Sequence, residues 1–437
     1  MAGLVIAAPS SHSGKTTVTL GLLRHLARAG ARPRPAKAGP DYIDPQFLAA
    51  AAAHPCVNLD LFALGIERVR AEGARLAAGG IGVVEGVMGL FDGADGETGS
   101  TADLAQALDW PAVLVVDAGA QGASAAALVG GFHRHRRGLA LAGVIFNRVG
   151  GDKHAEILRA AMARALPDVP VLGAIPRDPA LALPERHLGL VQASEHAALE
   201  SFLDRASETV ARHVDVAALL DIAARAGGKK ESAAAPPPTP PLGRRIAVAR
   251  DVAFAFTYEM TLRGWRDAGA EISFFSPLAD QAPDKDADAI YLPGGYPELH
   301  AGEIAAAGRF LDGLRRKAAS GATIFGECGG YMVLGAALTD KAGVAHKMAG
   351  LLALETSFAA RKLHLGYRRA KLLADTPFAR AGAEFRGHEF HYATILKEGP
   401  GESLFAAGDS SGRDLGPMGL KAGGVMGSFV HSPDRDG

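Results

Sequence analysis

The chain has 437 residues, 48% of them hydrophobic and 21% charged, which is ordinary for a globular protein and too long for a single core. Forty-six Lys and Arg nearly cancel 47 Asp and Glu, so no net field recruits nucleic acid or an acidic membrane, and the expected partners are small molecules recognised locally. No apolar run reaches about 18 residues without Gly, Pro or charge, MAGLVIAAP lacks the basic start of a signal peptide, and the two cysteines, Cys56 and Cys328, fit a reducing compartment; a cytoplasmic location is expected.

The first predicted strand, LVIAAP, runs into PSSHSGKT, residues 9–16, followed by a helix from Thr16 to about Ala29. A phosphate loop needs bare N–H groups, a lysine, a hydroxyl for Mg²⁺ and a helix N-terminus. Gly14, Lys15 and Thr16 supply these, although Pro9 stands where the first glycine is expected. The strand before and the helix after identify an ATP loop, with Ser10, Ser13 and Thr17 completing it. KAGPDYIDP, residues 37–45, then offers Asp41 and Asp44, and VVEGVMGLFDG, residues 83–93, offers Glu85 and Asp92 after a buried strand. Four acids among Gly, Pro and Met at strand ends point to Mg²⁺ rather than to loop caps. AVLVVDAG places Asp117 in a Walker-B-like position, where capping the next helix is its alternative role; LAGVIFNRV carries Asn147, and VLGAIP is the last strand of this series. Continuous Val/Ile/Leu runs bounded by glycine predict a parallel sheet covered on both faces, so residues 1–226 are expected to form a doubly wound α/β domain.

Residues 227–243, GGKKESAAAPPPTPPLG, hold five prolines and read as an extended linker. The rhythm then restarts with RRIAVARD, a helix over 257–268, EISFFSP, ADAIYLPGG, a helix over 305–319, ATIFGEC and a further helix, ending in a strand-rich region with RGHEFHYATI. Residues 244–437 are thus a second α/β domain. GECGGY places Cys328 on a tight strand-to-helix elbow, expected to expose the sulfur and lower its pKa through the helix N-terminus. His431 in GSFVHSP is the candidate base, and Gly294, Gly295 and Gly329 are candidate N–H donors to an oxyanion.

PSSHSGKT resembles the loop of the dethiobiotin-synthetase and MinD-like branch of P-loop proteins, on its ligase side because Ser10 stands where the MinD type has a second lysine. That resemblance implies Mg²⁺ held by Thr16 with Asp41 and Glu85, and an adenine edge read by Asn147. LPGGYPE, GECGGYM and GSFVHSP resemble class I glutamine amidotransferases, which implies a flavodoxin-like domain with Cys328 as nucleophile. That class has a Glu two residues after the His; here Pro433 stands there, leaving open a Cys/His dyad or another acid such as Glu389. Together with KAGPDYIDP, VVEGVMGLFDG, FNRVGG, RHLGLV, AFAFTYE and RGHEFHY, these segments resemble, over nearly the whole chain, the a,c-diamide synthases of cobyrinic and hydrogenobyrinic acid. The resemblance implies ATP- and glutamine-dependent amidation of two corrin acetates, with Tyr42, Ile43, Asp44 and Asp92, beside Asp41, approaching the carboxylate or its phosphorylated form. Asp44 or Asp92 would orient ammonia or take its proton. An acyl phosphate is the expected intermediate, because hydroxide is a poor leaving group and phosphate a good one. Ammonia is expected to cross through an interdomain channel or a transient closure. Cobalt-containing and metal-free rings both stay open, with the Ala-, Gly- and Arg-rich composition leaning toward hydrogenobyrinic acid; the oligomeric state is open too, a homodimer being one option. Cobyric acid synthase is the nearest rival; a MinD- or ParA-like ATPase switch leaves Cys328 and His431 unexplained, and the acidic segments do not match a CTP-synthetase-like enzyme.

Overall fold

The apolar runs become central strands of two sheets, each within one of two compact units. The computed structural model describes residues 2–435 except 95, 97, 184, 187, 188, 191, 197 and 227–238. One unit is drawn chiefly from residues up to Pro236 and the other from Pro237 onward. The linker expected at 227–243 lies largely outside the described residues, as does part of RHLGLV.

The first unit is built on β1 (Ala2–Ala7), β2 (Pro33–Ala38), β3 (Val57–Leu59), β4 (Ile81–Glu85), β5 (Ala112–Asp117), β6 (Leu141–Val149) and β7 (Val171–Pro176). They form one parallel sheet in the order β3-β2-β4-β1-β5-β6-β7. Val5, Ile6, Val83, Val84 and Val113 to Val116 are fully buried, as the uninterrupted apolar runs require. The strand order reverses direction at β1, so the crevice for a ligand opens beyond the carboxyl ends of β1 and its neighbours. The helix predicted after the loop is α1 (Lys15–Arg28), and α2 (Asp44–Ala52) follows β2.

Strand β2 was not legible in PRPAKA, whose prolines argue against a central strand. The register explains the exception: Pro33 and Pro35 pair only with β4, and pairing with β3 begins at Ala36. The prolines thus sit on a locally edge-like stretch that demands no second ladder.

In the second unit the parallel strands Glu271–Phe275, Arg245–Ala249, Ala289–Leu292, Thr323–Glu327 and Val425–Ser428 lie side by side in that order. Antiparallel strands continue the same ten-stranded sheet: Asp414–Ala422, Glu402–Asp409, His364–Leu372, Glu384–His391 and Val430–Arg435. Phe429 alone separates the fifth strand from the tenth, so the antiparallel half curls back toward the parallel half. A smaller four-stranded sheet includes Ala337–Thr339 and Leu354–Ser357. The helix predicted over 305–319 is two helices, Ala301–Ala306 and Gly308–Ala319, broken at Ala307. Among the described residues no helix is long and apolar enough to cross a membrane.

Candidate active sites

In the first unit, the loop after β1 turns into α1 at Gly14, whose φ of 85° lies in the left-handed region. A Cβ there would stand 2.0 Å from Asn147 Nδ2, which donates to the carbonyl of Ser13 at 3.0 Å. Ser13 Oγ in turn donates to the Ser10 carbonyl at 2.9 Å, closing the loop on itself. Thr17 Oγ1 reaches the Leu181 carbonyl at 3.4 Å. A cavity of about 480 Å³ borders Gly14, Thr17, Asp117, Asn147, Arg148 and Arg177.

The acids converge from two strands. Thr16 Oγ1 donates to Glu85 Oε1 at 2.6 Å. Lys37, paired with Glu85 across β2 and β4, donates to Glu85 Oε1 at 3.1 Å and to Asp44 Oδ2 at 2.5 Å, with Asp41 Oδ2 3.8 Å away. Burial disfavours the Lys37 ammonium, but Asp44, Glu85 and Asp41 outweigh it and raise its pKa. Lys15 is lowered, by burial first and then by the charge of Lys37. Asp44 stays low despite burial because Lys37 binds it, whereas burial and the charge of Asp44 push Asp41 up to about 7. Asp41 Oδ1 also accepts the N–H groups of Ile43 and Asp44, at 2.8 and 3.1 Å, and Asn58 Nδ2 fixes the same turn through the carbonyls of Gly39 and Asp41. Tyr42 and Ile43 are buried within that turn. Lys37 is the member of this cluster that sequence reasoning missed: it stands ahead of two acids in KAGPDYIDP, but β2, the strand that carries it, was itself hidden by its prolines.

Asp92 Oδ2 accepts the Gly89 N–H at 2.8 Å, and Leu90 N–H donates to the Ala8 carbonyl at 2.8 Å, so the turn after β4 is tied to the end of β1. Asp117 does not cap the next helix, Ser124–His135, which is entered at Ala123 without a side-chain cap; its Oδ1 accepts the Gly119 N–H at 2.9 Å in the turn after β5, and its Oδ2 pairs with Arg148. Cys56 is buried, which raises its thiol pKa well above the usual value; it packs as a small apolar residue.

In the second unit, Cys328 precedes the short helix Gly329–Leu334 with φ 48°, a strained conformation for a residue with a Cβ. Its N–H donates to the Ser428 carbonyl at 2.8 Å, following the parallel pairing of Glu327 with Ser428. That pairing brings the elbow beside the segment leading to His431. Gly294 sits between the two: a Cβ on it would lie 2.7 Å from His431 Cε1 and 3.4 Å from Cys328 Cβ. Gly295 has no room for a side chain, since the Ala253 carbonyl would be 2.1 Å away, and a Cβ on Gly329 would meet the Gly295 nitrogen at 3.1 Å.

The elbow differs from expectation in one respect. Cys328 is buried, 3% exposed, and burial followed by the charge of Glu298 raises its thiol pKa rather than lowering it. A helix of two turns behind the sulfur does not offset that desolvation. His431 is buried too and held neutral, by burial first and then by His388 and His391. Its ring stacks on His388 at 4.9 Å, whose own pKa falls to about 3 through burial and the charge of Arg368. His388 was not singled out in RGHEFHY, because only the pairing of strand Glu384–His391 with strand Val430–Arg435 sets it beside His431. Glu389 instead faces His391 Nε2 at 2.8 Å and Arg368 Nε at 2.8 Å, one through each oxygen; these partners outweigh burial and hold it down to about 2. Across the strands Glu389 pairs with Val430, while His388 pairs with His431. Behind the nucleophile, the Tyr291 hydroxyl donates to the buried Glu327.

Residues 4–191 match the CobQ/CobB/MinD/ParA nucleotide binding domain, and residues 245–435 match the CobB/CobQ-like glutamine amidotransferase domain. The chain is similar over its full length to curated proteins named hydrogenobyrinate a,c-diamide synthase. It is 55% identical to the one from Brucella anthropi, covering 99% of each chain. It is 53% identical to that of Rhizobium meliloti, again over 99% of each, and 52% identical to that of Rhodobacter capsulatus over 98% of each.

Proposed function

The chain belongs to the family of hydrogenobyrinate a,c-diamide synthases, and from that membership and the two sites we propose that it amidates the a- and c-acetate carboxylates of hydrogenobyrinic acid with glutamine nitrogen at the expense of ATP. The observation that carries this reading is the grouping of Cys328, Gly294 and His431 in a chain that also holds a phosphate loop facing Glu85, Asp44 and Lys37.

At the second site the thiol proton of Cys328 passes to the neutral His431 as sulfur attacks the glutamine amide, and the N–H groups of Gly294, Gly295 and Gly329 are the proposed donors to the oxyanion. His431 returns the proton to the departing ammonia, and water then cleaves the thioester to glutamate. A buried, neutral thiol suits a site that is switched on by its substrate.

At the first site a corrin carboxylate oxygen attacks the γ-phosphorus of ATP, giving an acyl phosphate and ADP. Ammonia then attacks the acyl carbon, and phosphate leaves. Lys15 is the proposed contact to the charge that develops on the transferring group, and Asp44, anchored by Lys37, is the proposed acceptor of the ammonia proton. The residues also fit Mg²⁺. Glu85 Oε2 is buried without a hydrogen-bond partner among the described residues, while its other oxygen already accepts Thr16 Oγ1. Thr16 and Glu85, with Asp41, would hold the ion, which when bound neutralises phosphate charge.

The test is product formation by Cys328→Ala from hydrogenobyrinic acid, ATP and Mg²⁺, supplied with glutamine or with ammonium. Diamide from ammonium but not from glutamine is expected; ATP turnover without any amide, in variant and wild type alike, would overturn the ligase reading.

A further inference from the structure

Glu298 is half-buried, with one carboxylate oxygen shut off from solvent, and the chemistry above leaves it unused. It stands in the turn Pro297–Leu299 that follows Gly294 and Gly295, and a Cβ on Gly329, the residue after the cysteine, would meet Pro297 Cδ at 2.9 Å. The turn is therefore pressed against the elbow. Glu298 Oε2 is buried and has no hydrogen-bond partner among the described residues. After burial, the charge of Glu298 is the strongest influence on the Cys328 thiol, so the carboxyl acts directly on the nucleophile's surroundings.

A glutamate in a surface turn ordinarily turns its carboxylate to water, because a desolvated, unpaired carboxylate is costly. Burial pushes the Glu298 carboxyl up to about 8, opposed first by its own backbone N–H and then by the charge of Arg361. Such a group is stabilised as an anion when a cation arrives beside it. Glutamine reacting at Cys328 brings a cation with it, its α-ammonium group.

We propose that Glu298 receives the α-ammonium of the glutamine donor and so selects an α-amino acid amide over other primary amides. This rests on the glutaminase reading of Cys328.

The experiment compares L-glutamine with glutaramate, the same amide without the α-amino group, in the full-length wild type and in Glu298→Gln, following release of glutamate or glutarate. Glu298→Gln should raise KM for glutamine roughly 10- to 100-fold, the loss of one charge-assisted hydrogen bond, while glutaramate hydrolysis stays as in the wild type. Ammonium-supported amidation by the same variant, unchanged, reports an intact fold. Equal losses on both amides, or no loss on glutamine, would overturn the proposal. A wild type that hydrolyses neither amide, yet still amidates with ammonium, would remove the glutaminase reading and this subsite with it.

Discussion

Replacing Lys37 by methionine isolates what the buried ammonium does for the first unit. The side chain is 3% exposed, and its anionic partners Glu85 and Asp44 are 0% and 15% exposed. Methionine keeps most of the volume but leaves these carboxylates facing each other without compensation. Breaking a buried ion pair on one side costs about 3–5 kcal/mol. For a domain of this size each kcal/mol moves Tm by about 2–4 °C, so a fall of roughly 6–20 °C is expected. The assay is calorimetric melting at pH 7 without nucleotide or metal, which resolves the two units as separate transitions if they unfold independently. The loss should fall on one transition, and adding Glu85→Gln should recover part of it, because the second change removes one of the stranded charges. A variant melting within a degree or two of the wild type would refute the reasoning, and so would a double variant whose losses simply add.

Gly294→Ala should cut glutamine-dependent amidation about 100-fold, since the added methyl stands 2.7 Å from His431 Cε1 and displaces the base; ammonium-dependent amidation should persist, and equal loss of both would show a general folding defect. Asp41 offers a pH test. Its folded pKa of about 7 lies above the usual 3.8, so the folded state holds the proton more tightly, and the contribution of Asp41 to stability is fully present below about 3.8 and is lost as pH rises toward 7. Asp41→Asn removes that dependence, so the variant should gain on the wild type in Tm between pH 5 and pH 7, measured without metal; a constant difference would count against the cause assigned to the shift.

The strand runs of both units, the phosphate loop and the cysteine elbow were legible in the sequence because each is a local pattern: consecutive apolar residues bury a parallel strand wherever they occur, and Gly-Lys-Thr before a helix or Cys-Gly-Gly after a strand needs only its neighbours to take shape. Pro33 and Pro35 hid β2, since whether a proline is tolerated depends on which partner strand runs beside it. Lys37 and His388 were quoted within motifs but not recognised, for their roles are set by Glu85, 48 residues away, and by His431 on another strand. The state of Cys328 also reversed. A helix N-terminus can be read from the chain, but desolvation is the sum over everything packed around the sulfur, including Glu298 and the curled antiparallel strands, and that sum exists only once the chain has folded.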